Sequence, residues 1–137
     1  MKRVRSYPAV LVLLLMVLIL PTITLAQPAG QLQVAAAAMC REVVNRAPVD
    51  SGTQFPVSVG KLFCFTKVEG AQPPTKITHV WYQGDTERDR IDLTVNGAAW
   101  RTCSSKTIRA GDAGSWHVDV LDAAGTVVKT LQFEITP

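Results

Sequence analysis

The residues best equipped for chemistry fall in two short segments: His79, Trp81 and Tyr82 in one, and Trp100, Arg101, Ser104, Ser105 and Lys106 in the other. Aromatic rings stack on the apolar faces of sugars, while Arg and Lys hold carboxylates or phosphates through charge-assisted hydrogen bonds. If the two segments neighbour each other, they form an aromatic and cationic surface suited to a cell-wall or exopolysaccharide ligand. The same residues can also serve structure alone. Trp81 and Trp116 would then fill the core, His79 would bond a neighbouring strand, and Ser104-Ser105-Lys106 would be a capped turn.

A catalytic reading needs a nucleophile, a base and an orienting acid. Ser104 or Ser105, His79 or His117, and Asp119 or Asp85 supply the types. No nucleophile-elbow motif such as GxSxG accompanies them, and neither histidine has a signature context. A hydrolase is therefore the weakest functional class, and a noncatalytic domain is expected. Asp85, Glu87, Arg88, Asp89 and Arg90 form a mixed charge run beside Gly84 that reads as a solvated hairpin loop. Its carboxylates lack the rest of a calcium loop, and without a CxxC or paired histidines no metal or cofactor is expected.

These side chains must be positioned by strands. From Met39 onward, runs rich in β-branched and aromatic residues alternate with Gly, Pro, Asn and Asp clusters. That is the pattern of an all-β fold. The runs are Cys40 to Asn45, Lys61 to Val68, Lys76 to Gln83, Arg90 to Val95, Ala99 to Ser104, Ser115 to Asp122 and Val127 to Thr136. About seven strands predict a small antiparallel β-sandwich of immunoglobulin-like architecture. Asn96-Gly97 and Ala124-Gly125 suit tight hairpin turns, and Pro73-Pro74, lacking amide donors, belongs to a loop. Period-two alternation places Ile91, Leu93 and Val95, then Trp116, Val118 and Val120, then Leu131, Phe133 and Ile135 in the core. Asp92, Thr94, His117, Asp119, Gln132 and Glu134 face outward.

The N-terminus carries an address. Met1 to Arg5 is basic, the chain is apolar from Ala9 to Leu20, and Thr24-Leu25-Ala26 offers small residues for a signal peptidase. This is a secretory signal over residues 1–26, with cleavage expected after Ala26. An uncleaved inner-membrane anchor is the lesser alternative, because Pro8 to Ala26 approaches spanning length. Residues 27–38, rich in Ala, Gln, Pro and Gly, read as a flexible leader, and 39–137 as the sandwich domain. Of the 14 basic residues, Lys2, Arg3 and Arg5 leave with the signal while all 11 acidic residues stay, so the mature chain is formally neutral. Nothing in that balance attracts nucleic acid or an anionic membrane, and no membrane span is expected after cleavage. The expected location is the periplasm or the cell exterior, which permits disulfides. Three cysteines, Cys40, Cys64 and Cys103, allow three single pairings that sequence does not separate.

Cys40 to Val49, Gly60 to Thr66, His79 to Tyr82, Trp100 to Lys106 and Gly114 to Trp116 together resemble the bacterial family known as domain of unknown function 2914 (DUF2914). The resemblance runs from Cys40 to the C-terminus and implies an exported or membrane-attached domain without an established activity. In that family the place of Cys103 is more often aromatic, which implies that Cys103 is unpaired and that Cys40 bridges Cys64. Cys64, Trp81 and Cys103 also follow the Cys, Trp, Cys order of a true immunoglobulin domain, but Arg101 stands where its tyrosine corner would be. The expected function is that of an envelope binding module, with a glycan as one ligand class. The alternative is an accessory domain engaging another envelope protein. The first predicts Trp100, Arg101 and Lys106 exposed together, the second an apolar patch or an unpaired edge strand.

Overall fold

The computed structural model describes residues 31–137. The signal expected over 1–26, the cleavage after Ala26 and the first part of the leader lie outside the described residues. Ten strands follow in chain order: β1 Gln33–Cys40, β2 Glu42–Val44, β3 Ala47–Val49, β4 Gln54–Pro56, β5 Lys61–Glu69, β6 Thr75–Gln83, β7 Thr86–Val95, β8 Trp100–Thr107, β9 Gly114–Leu121 and β10 Val127–Thr136. A three-stranded sheet in the order β1-β5-β8 faces a five-stranded sheet in the order β4-β10-β9-β6-β7, and β2-β3 forms a separate ribbon. All pairings are antiparallel except the short β10-β4 pair. The expected immunoglobulin-like β-sandwich is the fold of this chain.

Six of the seven expected runs coincide with long strands, and their alternation sorts side chains as expected. Trp116, Val118, Val120, Leu131, Phe133, Ile135 and Val95 are buried, and Ile91 and Leu93 pack against the same core. Phe133 is its hub. Its ring lies edge-on to Phe55 at 6.5 Å and to Trp81 at 6.1 Å, and stacks near Trp116 at 6.1 Å. Such aromatic pairs add to the area they bury, and they lock β4, β6 and β9 onto β10.

Three expectations are corrected. Residues 33–38 are not a flexible leader but most of β1, which pairs with β5 from Gln33↔Glu69 to Cys40↔Phe63. The run Cys40 to Asn45 is broken, with Cys40 ending β1 and Glu42–Val44 turning away to pair with β3. Asn96-Gly97 is not a hairpin, because β7 belongs to the five-stranded sheet and β8 to the other. Residues 96–99 cross between the sheets, and a Cβ on Gly97 would meet Ala99 O and the Trp100 ring at 3.3 Å. Hairpins between long strands join β6 to β7 at Gly84 (φ 56°) and β9 to β10 at Gly125 (φ 84°). At the second, Asp122 accepts from the amides of Ala124 and Thr126 at 2.9 Å each, and Gly125 supplies the positive φ. The charge run beside Gly84 lies at the first hairpin, where Arg90 and Glu87 form an exposed ion pair at 2.6 Å.

Candidate functional site

Strand alternation divides the candidate residues before any chemistry does. On β6 the odd-numbered residues face the interior, so His79 and Trp81 enter the core while Tyr82 faces outward. On β8 Ser104 is opposite Cys64 and points inward, whereas Arg101 and Ser105 alternate to the outside. β6 and β8 therefore do not neighbour each other within one sheet. They meet across the core, and the single surface that would combine His79, Trp81 and Tyr82 with Trp100 to Lys106 is not formed.

A closed polar network is formed instead. The His79 ring, with no exposed area, lies 2.6 Å through Nδ1 from Ser104 Oγ and 2.9 Å through Nε2 from Thr66 Oγ1. Trp81 Nε1 donates to the same Ser104 Oγ at 3.1 Å. Among the described residues no buried side-chain polar atom lacks a partner. Burial disfavours the imidazolium and lowers the His79 pKa to about 4. At neutral pH the ring is uncharged, with one nitrogen donating and the other accepting. A serine and an imidazole thus stand at hydrogen-bonding distance, but Ser104 is only 5% exposed and offers a substrate no approach. His117 lies away from any serine nucleophile of this network, on the outer face of β9.

The remaining candidates are divided among three surface regions. Tyr82 and His117, cross-strand partners on the outer face of the five-stranded sheet, stack at 4.6 Å with rings 9° apart. His117 borders an open hollow of ≈ 570 Å³ lined also by Gln54, Gln132 and Glu134. Trp100, half-buried at the start of β8, and Arg101 line a hollow of ≈ 270 Å³ with Arg46, Lys67 and Ala99. Ser105 and Lys106, at the other end of β8, line one of ≈ 320 Å³ with Arg88, Asp89, Arg109 and Asp112. Six residues of extended chain separate Trp100 from Lys106 by on the order of 20 Å. Trp100, Arg101 and Lys106 therefore do not form one exposed patch. The Arg88 guanidinium pairs with Asp112 at 3.4 Å and lies 5.6 Å over the Trp116 ring.

Arg46 and Lys67 are the site residues that sequence reasoning missed. Arg46 sits at the tip of the β2-β3 hairpin, where Asn45 (φ 51°) and Arg46 (φ 60°) are both left-handed, as a two-residue type I′ turn requires. The hairpin lies beside β8, with Arg101 Nη1 donating to Arg46 O at 3.3 Å. Lys67 is the direct cross-strand partner of Arg101 in the β5-β8 register. Only the pairing of β5 with β8 reveals that neighbourhood, although Asn45-Arg46 between the short apolar runs Val43-Val44 and Ala47–Val49 was a detectable turn signal.

The cysteines are all free, so the Cys40 to Cys64 bridge is corrected. Cys40 is paired in register with Phe63 and therefore shares its face, while Cys64, the next residue, points the opposite way into the core. Cys103, opposite Phe65, faces away from Cys64 within the same sheet, which also separates this pair from the intersheet bridge of antibody domains. Burial raises all three thiols, Cys64 to about 12, so none is an activated thiolate. Among the described residues no group of three His, Cys, Asp or Glu side chains could hold a metal ion.

A solved immunoglobulin-like protein from Pseudomonas aeruginosa is similar to this chain at a TM-score of 0.55 and 12% identity, over 80% of this chain and 99% of that one. The likeness shows the fold. No curated protein matches the chain. The Cys40 to Val49 and Gly60 to Thr66 segments, which contributed to the resemblance seen in the sequence, precede the span matched by a family model. A family model described as "Protein of unknown function (DUF2914)" matches residues 74–135, from the start of β6 to the end of β10, in agreement with the resemblance seen in the sequence.

Proposed function

We propose that this protein is an exported, noncatalytic binding module of the bacterial cell envelope that holds a glycan on its sandwich surface. The observation that carries this reading is the division of its functional side chains. His79, Ser104, Thr66 and Trp81 satisfy one another in the core, whereas Arg101 stays exposed beside Trp100 at an open hollow. Acyl or glycosyl transfer needs an accessible acid, base or nucleophile, while recognition needs exposed rings and donors. The immunoglobulin-like fold is compatible with such a role but does not identify the ligand. The basic Met1 to Arg5 stretch and the apolar run that follows support export to the periplasm or beyond.

An accessory domain would be expected to present apolar area, but among the described residues the exposed large hydrophobics are Val44 and Val127. The edge strand β7 carries Arg88, Arg90 and Asp92, and charges of this kind discourage strand addition. The test is a screen of glycans and peptidoglycan fragments with the full chain, expressed with its own N-terminal segment. Arg101→Ala should abolish the binding seen with the wild type, while Lys106→Ala, at the far end of β8, should leave it unchanged. No binding by the wild type, or equal binding by the Arg101 variant, would refute the assignment.

A further inference from the structure

We infer that the hollow between the β2-β3 hairpin and β8 is an oxyanion site, and that the glycan is an acidic one bearing carboxylates. This deepens the glycan reading above and rests on it. Two features of the hollow work against stability, and both add positive charge. Lys67 and Arg101 stand directly opposite on adjacent strands, a placement in which like charges repel. Arg46 occupies the second central position of a left-handed turn with φ 60°, where glycine is the favoured residue and a side chain is strained.

Arg46, Lys67 and Arg101 line the same hollow, together with Ala99 and Trp100. Its lining contains no carboxylate, and nearby Glu69 pairs with Lys67 alone, at 3.4 Å. Arg101 spends one donor on Arg46 O, and each guanidinium carries five in all. An arginine fork matches the two oxygens of a carboxylate, and several such groups converging on one hollow select an anion over a neutral sugar. The hollows beside Lys106 and His117 lack this bias, and the one lined by Lys129 holds a single cation. Asp89 and Asp112 offset the cations around Lys106, and Glu134 lines the one beside His117. An anionic ligand would offset the Lys67 and Arg101 repulsion.

The experiment titrates the full chain with oligogalacturonate and, separately, with the same oligosaccharide after carboxyl reduction. Inorganic phosphate and phosphatidylglycerol vesicles are parallel probes. The expected result is binding to the oligogalacturonate at least tenfold tighter than to its reduced form, weakening as salt rises. Arg46→Gly and Lys67→Gln should each weaken it by roughly tenfold, the loss of one charge-assisted contact. Both variants should melt no lower than the wild type, because each relieves strain or repulsion. Lys106→Gln should bind like the wild type.

Equal affinity for the acidic and reduced sugars would overturn the acidic assignment and leave the glycan module standing. No affinity for either sugar would remove the glycan reading as well. Binding to the vesicles without binding to oligogalacturonate would assign the hollow to a lipid headgroup, and saturation by phosphate alone would reduce it to a small-anion site. Full binding by both Arg46→Gly and Lys67→Gln would also defeat the inference.

Discussion

Stability should fall with acid in a window set by His79. The unfolded ring has its ordinary pKa of 6.5, and the buried ring, between Thr66 and Ser104, has a pKa lowered to about 4. Between those values the unfolded chain binds a proton that the native protein excludes, so the unfolded state gains as pH drops. The contribution is fully present above pH 6.5, is lost progressively toward pH 4, and is flat below it. At 1.36 kcal/mol per pKa unit, the loss amounts to ~3 kcal/mol, a large part of the stability of a small domain. Urea unfolding of the wild type from pH 8 to pH 4 measures it, with His79→Gln as the non-titrating comparison. The variant should be less stable at pH 8, because its amide fits the network imperfectly, and its midpoint should be flatter over that window. Parallel wild-type and variant curves, or a wild-type midpoint unchanged from pH 7 to pH 4.5, would refute the argument that burial keeps this ring neutral.

Ser104→Ala removes the acceptor of Trp81 Nε1 and a partner of His79 Nδ1, and leaving buried groups unpaired should cost about 2–4 kcal/mol by denaturant titration. Phe133→Ala opens a cavity between Phe55, Trp81 and Trp116 and should lower stability by ~3–5 kcal/mol, visible as a fall in Tm. Thiol titration of the unfolded protein, without reductant, should find all three cysteines reactive, and dithiothreitol should leave Tm unchanged. A reductant-dependent fall in Tm would contradict the register that separates Cys40 from Cys64.

The long strands were legible because one face of each is apolar. In Trp116 to Val120 and Leu131 to Ile135 every second residue is large and apolar, and burial follows that period. β1 was hidden because half of Gln33–Cys40 is alanine, a poor strand former on its own. Its order comes from pairing with β5, a contact with no local signal. Asn96-Gly97 misled for the converse reason. The dipeptide suits a hairpin, but the inward faces of β7 and β8 belong to different sheets, and packing decided the connection.

The candidate site was legible as residue types and not as a place. His79 and Tyr82 are three apart in the chain and lie on opposite faces of one strand. Arg101 and Lys67 are 34 positions apart and face each other in register. Pairing between strands made the second neighbourhood, and no spacing in the chain encodes it.

The position of β10 bears on when the domain can close. This last strand lies inside its sheet, between β4 and β9, and contributes the aromatic ring on which the core converges. Until Phe133 and Ile135 arrive, β9 has an open flank and Phe55 and Trp116 lack their common neighbour. The five-stranded sheet therefore stays open at its centre until β10 docks, so closure of the core waits on a strand that is distant in sequence from β4 and is inserted between two others.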